Sequence, residues 1–248
     1  MRLNSQLTSL VALCHTFFPS IDALMHTSKQ FRQDDVETIR SLVAANPLGT
    51  LVTNAHGDLV GNHIPFQWVD DQRNGTLEGH VARANPVWCD IDSNSEVLVV
   101  FSGVDAYISP SWYPSKARDA RVVPTWNYSA VHIYGHPQAI HDPEWLKAHV
   151  TRLTDRQEAS FAEPWSVADA PPDYTNALVN AIVGLQISVT RIEGKWKFSQ
   201  NRNDEDRAGV VAGLLRQNDS NARSMAREIA AMDASLDKQA SQQGEEGL

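Results

Sequence analysis

The chain is poor in cysteine. Cys14 and Cys89 are the only two; they cannot build a disulfide framework, and they show no metal-ligand spacing. That usage fits a reducing compartment, so the expected location is intracellular and cytoplasmic, or nuclear if the source is eukaryotic. A long apolar run is missing too. Leu7 to Phe18 (LTSLVALCHTFF) is broken by Thr, Ser, Cys and His, and is too short to span a bilayer. Arg2 is the only charge near it, which falls short of the basic start of a secretory leader. Residues 1–24 are therefore expected to be a weakly ordered extension ahead of a domain that opens at Met25, with no membrane partner.

Positive charge is also in deficit. Lys and Arg number 21 against 30 Asp and Glu, a net charge of −9, so the bulk field does not draw nucleic acid. Several chemical signatures are absent. There is no Gly-x-Ser-x-Gly elbow and no Walker loop, which leaves nucleophilic hydrolysis and P-loop chemistry without support. No Gly-x-Gly-x-x-Gly marks a Rossmann cofactor site. Four histidines, His63, His80, His132 and His136, fall in strand-like segments, but no Cys/His/carboxylate spacing accompanies them, so no protein-ligated metal is expected.

What is present is ample core material: 42% of 248 residues are hydrophobic, enough for one large domain or two small ones. No internal repeat or long linker divides the chain, so residues 25–232 are expected to form one domain, followed by a disordered polar tail over 233–248. Asp34-Asp35-Val36-Glu37 reads as a capped helix start, with Val36, Ile39, Leu42 and Val43 at helical spacing before Asn46-Pro47 stops the run. Strand signals follow over 48–54 and 59–68 about a hairpin-like turn at 55–58, then over 75–81, 96–101, 131–140 and 185–192. Glu193-Gly194 reads as a tight turn into a last short strand, 195–199. Helix signals occupy 143–161, with Leu146, Val150 and Leu153 on one stripe, then 173–182, 204–216 and 221–232. The set predicts a mainly β protein with α (α+β), an antiparallel barrel or sandwich with flanking helices.

Three segments carry chemistry. Tyr107 to Tyr128 (YISPSWYPSKARDARVVPTWNY) crowds tyrosines and tryptophans around Lys116, Arg118 and Arg121. Flat apolar rings beside cations suit a ligand with a planar ring at one end and an anion at the other, such as a flavin mononucleotide; a core-and-turn segment is the plainer alternative. Gly79 to Pro86 (GHVARANP) is a strand running into a helix start, with Asn85 as N-cap and Arg83 just ahead of it. A phosphate could sit there without a glycine-rich loop, or Arg83 could simply face water. Lys195 to Arg202 (KWKFSQNR) alternates along a strand, and its Ser-Gln-Asn-Arg end offers donors with no carboxylate beside them.

Together these blocks resemble the PaiB family of FMN-binding negative transcriptional regulators. The likeness rests also on NPLGTLVT (46–53), HIPF (63–66), Ala130-Val131-His132 and the connector from Glu163-Pro164-Trp165 to Asp169-Ala170-Pro171. It covers roughly Met25 to Met232; the start and the polar tail depart from it. The resemblance implies a split β-barrel like that of pyridoxamine-phosphate oxidases, paired as a homodimer with FMN at the interface and haem as a minor alternative. Arg83, Asn85, Lys116, Ser199, Gln200 and Asn201 match family motif positions. From their chemistry, Arg83 and Lys116 are assigned to the phosphate, Trp112 and Trp126 to the ring wall, and Ser199, Gln200 and Asn201 to polar edges. Thr53, His63, His80 and Lys197 complete the candidate cofactor residues. For function, a repressor acting through DNA or a partner protein stands beside a flavin-dependent or haem-handling oxidoreductase. No helix-turn-helix with a basic reader helix is legible.

Overall fold

The computed structural model describes residues 25–245 apart from 56, 70–73 and 92–94, and side chains only as far as 234. The expected extension over residues 1–24 lies outside the described residues. In chain order the elements are β1 (Arg32–Gln33), α1 (Val36–Ala45), β2 (Leu48–Ala55), β3 (Asp58–Pro65), β4 (Gln67–Val69), β5 (Thr76–Ala82), α2 (Val87–Asp90), β6 (Val97–Ile108), α3 (Lys116–Asp119), β7 (Thr125–Ile140), α4 (Pro143–Glu158), α5 (Pro172–Asn180), β8 (Ile182–Lys197), α6 (Asp204–Leu215) and α7 (Ser220–Glu245). The strands form one antiparallel sheet in the order β3-β2-β6-β7-β8-β5-β4, with β1 beside β8.

The spine of this sheet is the β7–β8 ribbon, two 16-residue strands paired from Tyr128↔Lys197 to Ile140↔Gly184. At about 3.3 Å per residue its contour approaches roughly 50 Å. The structure departs from the sequence reading here. Glu193-Gly194 is not a turn: β8 runs straight through it, and Gly194 lies where β1 crosses. A Cβ on Gly194 would come within 2.5 Å of the Gln33 carbonyl oxygen, so the glycine serves strand approach rather than chain reversal. Strand β6 likewise continues past Phe101 to Ile108, taking up a register irregularity between Ser102 and Asp105. The hairpin turn is as read: Ala55 pairs with Asp58, and Gly57 takes φ +95°.

Two apolar cores flank the sheet. The larger gathers Leu51, Phe66, Leu77, Val99, Phe101, Ile133, Leu185 and Ile187 inside the sheet, closed by Ile39, Leu42 and Val43 of α1. Helix α1 is capped by Asp35, whose carboxylate accepts from the Thr38 amide at 2.8 Å, rather than by a Glu-based box. The second core joins Ile108, Tyr113 and Phe198 to Val210 and Leu214 of α6 and Met225 and Ile229 of α7. Helix α7 continues to Glu245, where the sequence reading expected disorder from residue 233. The tail carries Ala234, Leu236, Lys238, Gln239, Ala240, Gln242 and Gln243, good helix formers, and reaches no glycine before Gly244.

Candidate functional site

The sequence-predicted residues do not gather in one place. They fall at the two ends of the β7–β8 ribbon.

At the Ile182 end, β5 delivers His80 and then Arg83 and Asn85. The Arg83 backbone N–H donates to the Ala181 carbonyl at 2.8 Å, which fixes the end of β5 against the turn between α5 and β8. Its guanidinium donates to Asn180 O and Ile182 O, both at 2.9 Å, and lies 3.5 Å from Nδ1 of His141. Its Nε–H thus holds the last carbonyl of α5, where a cation is favoured by the helix dipole, and Nη2 holds the first carbonyl of β8. Arg83 stays exposed, and N–H groups of its fork remain for an anion. Asn85 sits one residue further from the helix than expected. Pro86 holds the N-cap position of α2, while Asn85 Oδ1 accepts from the Val87 amide at 3.0 Å. Its Nδ2 donates to Asn62 Oδ1 at 2.8 Å, which ties this corner to β3.

Asn62 is a residue the sequence reading missed. Its Nδ2 is buried without a partner, as is Oγ1 of Thr53 on β2. Thr53 pairs with Val60 and Asn62 with Leu51, so the two are diagonal neighbours on one face. Buried donors left unpaired are costly and call for an explanation. Thr53, Asn62, Arg83 and Asn85 offer a donor-rich corner, which fits the phosphate and carbonyl oxygens of a flavin nucleotide. The signal for Asn62 was its place directly before the HIPF block. His63 itself is exposed on the other face of β3, opposite Thr50.

His80 belongs to a separate cluster at this end. Glu78 and His80 lie on one face of β5, and α4 covers that face with Trp145, His149 and Arg152, spaced four and three residues apart. Arg152 donates to Glu78 Oε2 at 2.6 Å. His149 is wholly buried, its Nδ1 is 3.8 Å from the same oxygen, and its Nε2 is 3.1 Å from Nδ1 of His80. Trp145 stacks on His149 at 5.2 Å and 9°. Gly184 makes room for that indole: a Cβ there would meet the ring at 2.4 Å. Burial alone would raise the Glu78 pKa, but His149 and Arg152 outweigh it and the carboxyl is held below its usual range. Burial, with repulsion from His149, pushes His80 down to about 4. The buried stripe of α4 is thus Leu146 with His149, not the purely aliphatic stripe read from the sequence.

At the Lys197 end, Trp112, Trp126 and Tyr107 line one hollow of about 630 Å³, closed on its far side by Leu214, Gln217 and Asn221. Tyr107 and Trp126 meet edge to face at 6.2 Å and are 49% and 53% exposed, a large aromatic pair left open. Trp112 lies on Gly209 and Gly213 of α6; a Cβ on Gly213 would sit 2.3 Å from its ring. Lys116 is exposed and donates to Ser111 Oγ at 3.2 Å, while Lys197 donates to Thr125 Oγ1 at 2.5 Å. Ser199 is buried at φ +67°, a left-handed conformation unusual for serine, and its hydroxyl accepts from Asn127 Nδ2 at 2.9 Å. Gln200 closes the turn on itself: Oε1 accepts from the Phe198 amide and Nε2 donates to Trp196 O, both at 2.7 Å. Asn201 is exposed.

Among the described residues no group of three or more His, Cys, Asp or Glu could hold a metal ion, and no helix is long and apolar enough to cross a membrane.

Comparison with known proteins places the chain. Among solved structures, the FAD and heme binding protein from Mycobacterium smegmatis matches with a TM-score of 0.51 and 19% identity, covering 71% of this chain and 78% of that one. The flavocytochrome Anf3 from Azotobacter vinelandii matches at 0.50 and 15%, covering 74% and 78%. At such identities the likeness is one of fold, the flavin-binding split barrel. Among curated sequences, the Bacillus subtilis protein named "Protease synthase and sporulation protein PAI 2" is 34% identical over 202 residues, 82% of this chain and 95% of that protein. An uncharacterized protein of Emericella nidulans is 31% identical over 215 residues, covering 72% and 86%. Residues 25–191 match the family described as "Putative FMN-binding domain", and the chain belongs to that family of PaiB-like FMN-binding proteins.

Proposed function

We propose that the protein binds FMN at a site shared between two copies of the chain, and that the flavin-loaded homodimer serves as a PaiB-like negative regulator of transcription. The observation that carries this reading is the division of the candidate residues between the two ends of the ribbon. One flavin cannot touch Arg83 and Trp126 of the same chain if the roughly 50 Å of ribbon between them stays extended. A two-fold pairing lets one copy supply the donor corner and its partner the aromatic wall. The exposed Tyr107–Trp126 pair, and Leu48, Leu59 and Val60 exposed on β2 and the edge strand β3, are apolar surfaces that such a pairing would cover. In that site the flavin would supply reversible redox chemistry, and the residues named here would hold its phosphate and flank its ring.

The regulatory half of the proposal leans on the relative named for protease synthesis and sporulation. The sequence of α7 does not present a DNA-reading face: Arg223 and Arg227 lie among Asp219, Glu228 and Asp233, which leaves little net positive charge. Regulation would then pass through a partner protein. The oxidoreductase reading is favoured by one observation, the neutral His80 near the donor corner.

Mixing two variants tests the shared site. Arg83→Ala and Trp126→Ala proteins are each expected to bind FMN weakly. After exchange of subunits, random pairing puts about half of the dimers in mixed form, each with one intact site, so roughly a quarter of sites should recover. No recovery would show that both residues serve the flavin from one chain, or not at all. Sustained NAD(P)H turnover by the FMN-loaded protein would favour the oxidoreductase; a salt-sensitive, sequence-specific DNA complex would favour direct repression.

A further inference from the structure

Between α4, α5 and the segment from Trp165 to Ala170 lies a cavity of about 440 Å³, within the size range of small-molecule sites. Its wall is built from Val150, Val167, Leu178, Val179 and Ile182, with Trp165 and Tyr174 at partly exposed positions. Among the described residues no Lys, Arg, Asp or Glu lines it. An ionic ligand would therefore leave its charge unpaired there. The wall contains one imidazole, His80, and the state of that ring is set by the groups behind it.

The ring is held from behind. Nδ1 of His149 lies 3.8 Å from the Glu78 carboxylate, which Arg152 binds at 2.6 Å. Nε2 of His149 and Nδ1 of His80 are 3.1 Å apart, one donating and the other accepting according to tautomer. Nδ1 of His80 is thus committed to His149, and no side chain or backbone group among the described residues meets its Nε2. Burial keeps the His80 ring neutral at neutral pH, its pKa about 4. The cavity is thus a largely apolar, aromatic-walled chamber in which Nε2 of His80 has no protein partner; the hydroxyls of Thr154 and Thr175 also line it, and that of Thr175 donates to the Pro171 carbonyl at 3.2 Å.

We propose that this cavity binds an uncharged aromatic molecule carrying a single hydroxyl, of the phenol class, hydrogen-bonded to Nε2 of His80. The apolar wall, Trp165 and Tyr174 included, holds the ring, and His149 engages Nδ1 of His80, which leaves Nε2 for the hydroxyl. The neighbouring corner at Arg83 is the opposite kind of site, built from donors and suited to an anion. The two would not compete for one ligand, and the proposal holds whether or not FMN occupies the other.

The test uses the full chain loaded with FMN and two probes of equal heavy-atom count, phenol and toluene, titrated by calorimetry. Both are expected to bind the parent protein. Replacing His80 by Leu should shift the phenol-to-toluene affinity ratio by about tenfold toward toluene, the worth of one hydrogen bond to an otherwise unpaired ring nitrogen. Leu178→Trp, which fills the chamber, should weaken both. A ratio unchanged in His80→Leu overturns the proposal, as does absence of binding by either probe. Displacement of phenol by added FMN in flavin-free protein overturns it differently, by making the cavity the flavin's own seat. Should His80→Leu fail to fold, nitrogen-15 spectra of the parent decide the matter. The Nε2 resonance of His80 must move at pH 7 on adding phenol but not toluene; no response to phenol, or an equal response to both, sinks it.

Discussion

At the Ile182 end of the β7–β8 ribbon the side chains that matter are ionisable and connected to one another; at the Lys197 end they are aromatic and held by shape. The first end buries Glu78 and His149 under α4, with His80 between them and the cavity. The second buries Met225, Phe198, Ile108 and Leu214 in an apolar core and lays Trp112 across α6. The contrast separates two ways of fixing a site. A polar cluster sets protonation and donor direction, and responds to pH. An apolar core sets position, and responds to volume. A ligand shared between two copies would meet one kind of control on each side.

The largest effect should come from volume at the apolar end. Met225 is fully buried between α7 and the sheet, so Met225→Ala should cost roughly 2–5 kcal/mol in denaturant unfolding. The same variant should leave the pH dependence of stability unchanged, because no ionisable group of the other end touches that core. A changed pH slope would break the separation of the two ends.

Acid should act on the other end. Because the folded-state pKa of His80 is pushed below the unfolded value, from 6.5 to about 4, the folded chain binds fewer protons between those limits. Its contribution is therefore complete above pH 6.5 and lost as the pH falls toward 4, up to about 3 kcal/mol in all. Glu78, His149 and Arg152 face the same ring, and the lowered pKa of Glu78 adds a further loss only at more acid pH. His80→Gln should flatten the stability profile between pH 6.5 and 4. A profile as steep as the parent's would mean that His80 charges freely in the folded protein.

Next in size is Arg83. Arg83→Ala should weaken FMN binding by roughly 1.5–3 kcal/mol, the range for hydrogen bonds to a charged group. Riboflavin, which lacks the phosphate, should bind the variant as it binds the parent. Equal FMN affinity would limit Arg83 to its hold on Asn180 and Ile182, and an equal loss for riboflavin would point to damage at α5. The smallest effect belongs to Ser199→Ala, which removes one buried partner of Asn127 and should cost about 1 kcal/mol by thermal unfolding. No measurable loss would show that a water replaces the hydroxyl.

Much of the fold was legible because it rests on local patterns. Alternation marked the strands, and Asn46-Pro47 marked the end of α1. The misreadings arose where a distant segment decided the outcome. Gly194 looked like a turn because the crossing of β1 at Gln33 is invisible in the local sequence. His149 was passed over in favour of its aliphatic neighbours because its partners, Glu78 and His80, come from β5, about seventy residues earlier. The candidate residues were nameable from motif blocks, but their division between two ends of a ribbon was not, since it follows from strand register alone. Asn62 shows the same limit: only the pairing of β2 with β3, and the bond to Asn85, reveal its stranded amide.

The glycines beneath Trp112 bear on the order in which this protein folds. Gly209 and Gly213 stand one turn apart in α6, and each lowers intrinsic helix stability by roughly 1 kcal/mol relative to alanine. A twelve-residue helix so weakened is a poor nucleus in isolation. Helix α6 gains its stability only when the indole and the Phe198–Met225 core are already there to receive it. It should therefore assemble late: substitutions in α6 should speed unfolding while leaving the refolding rate of the barrel nearly untouched.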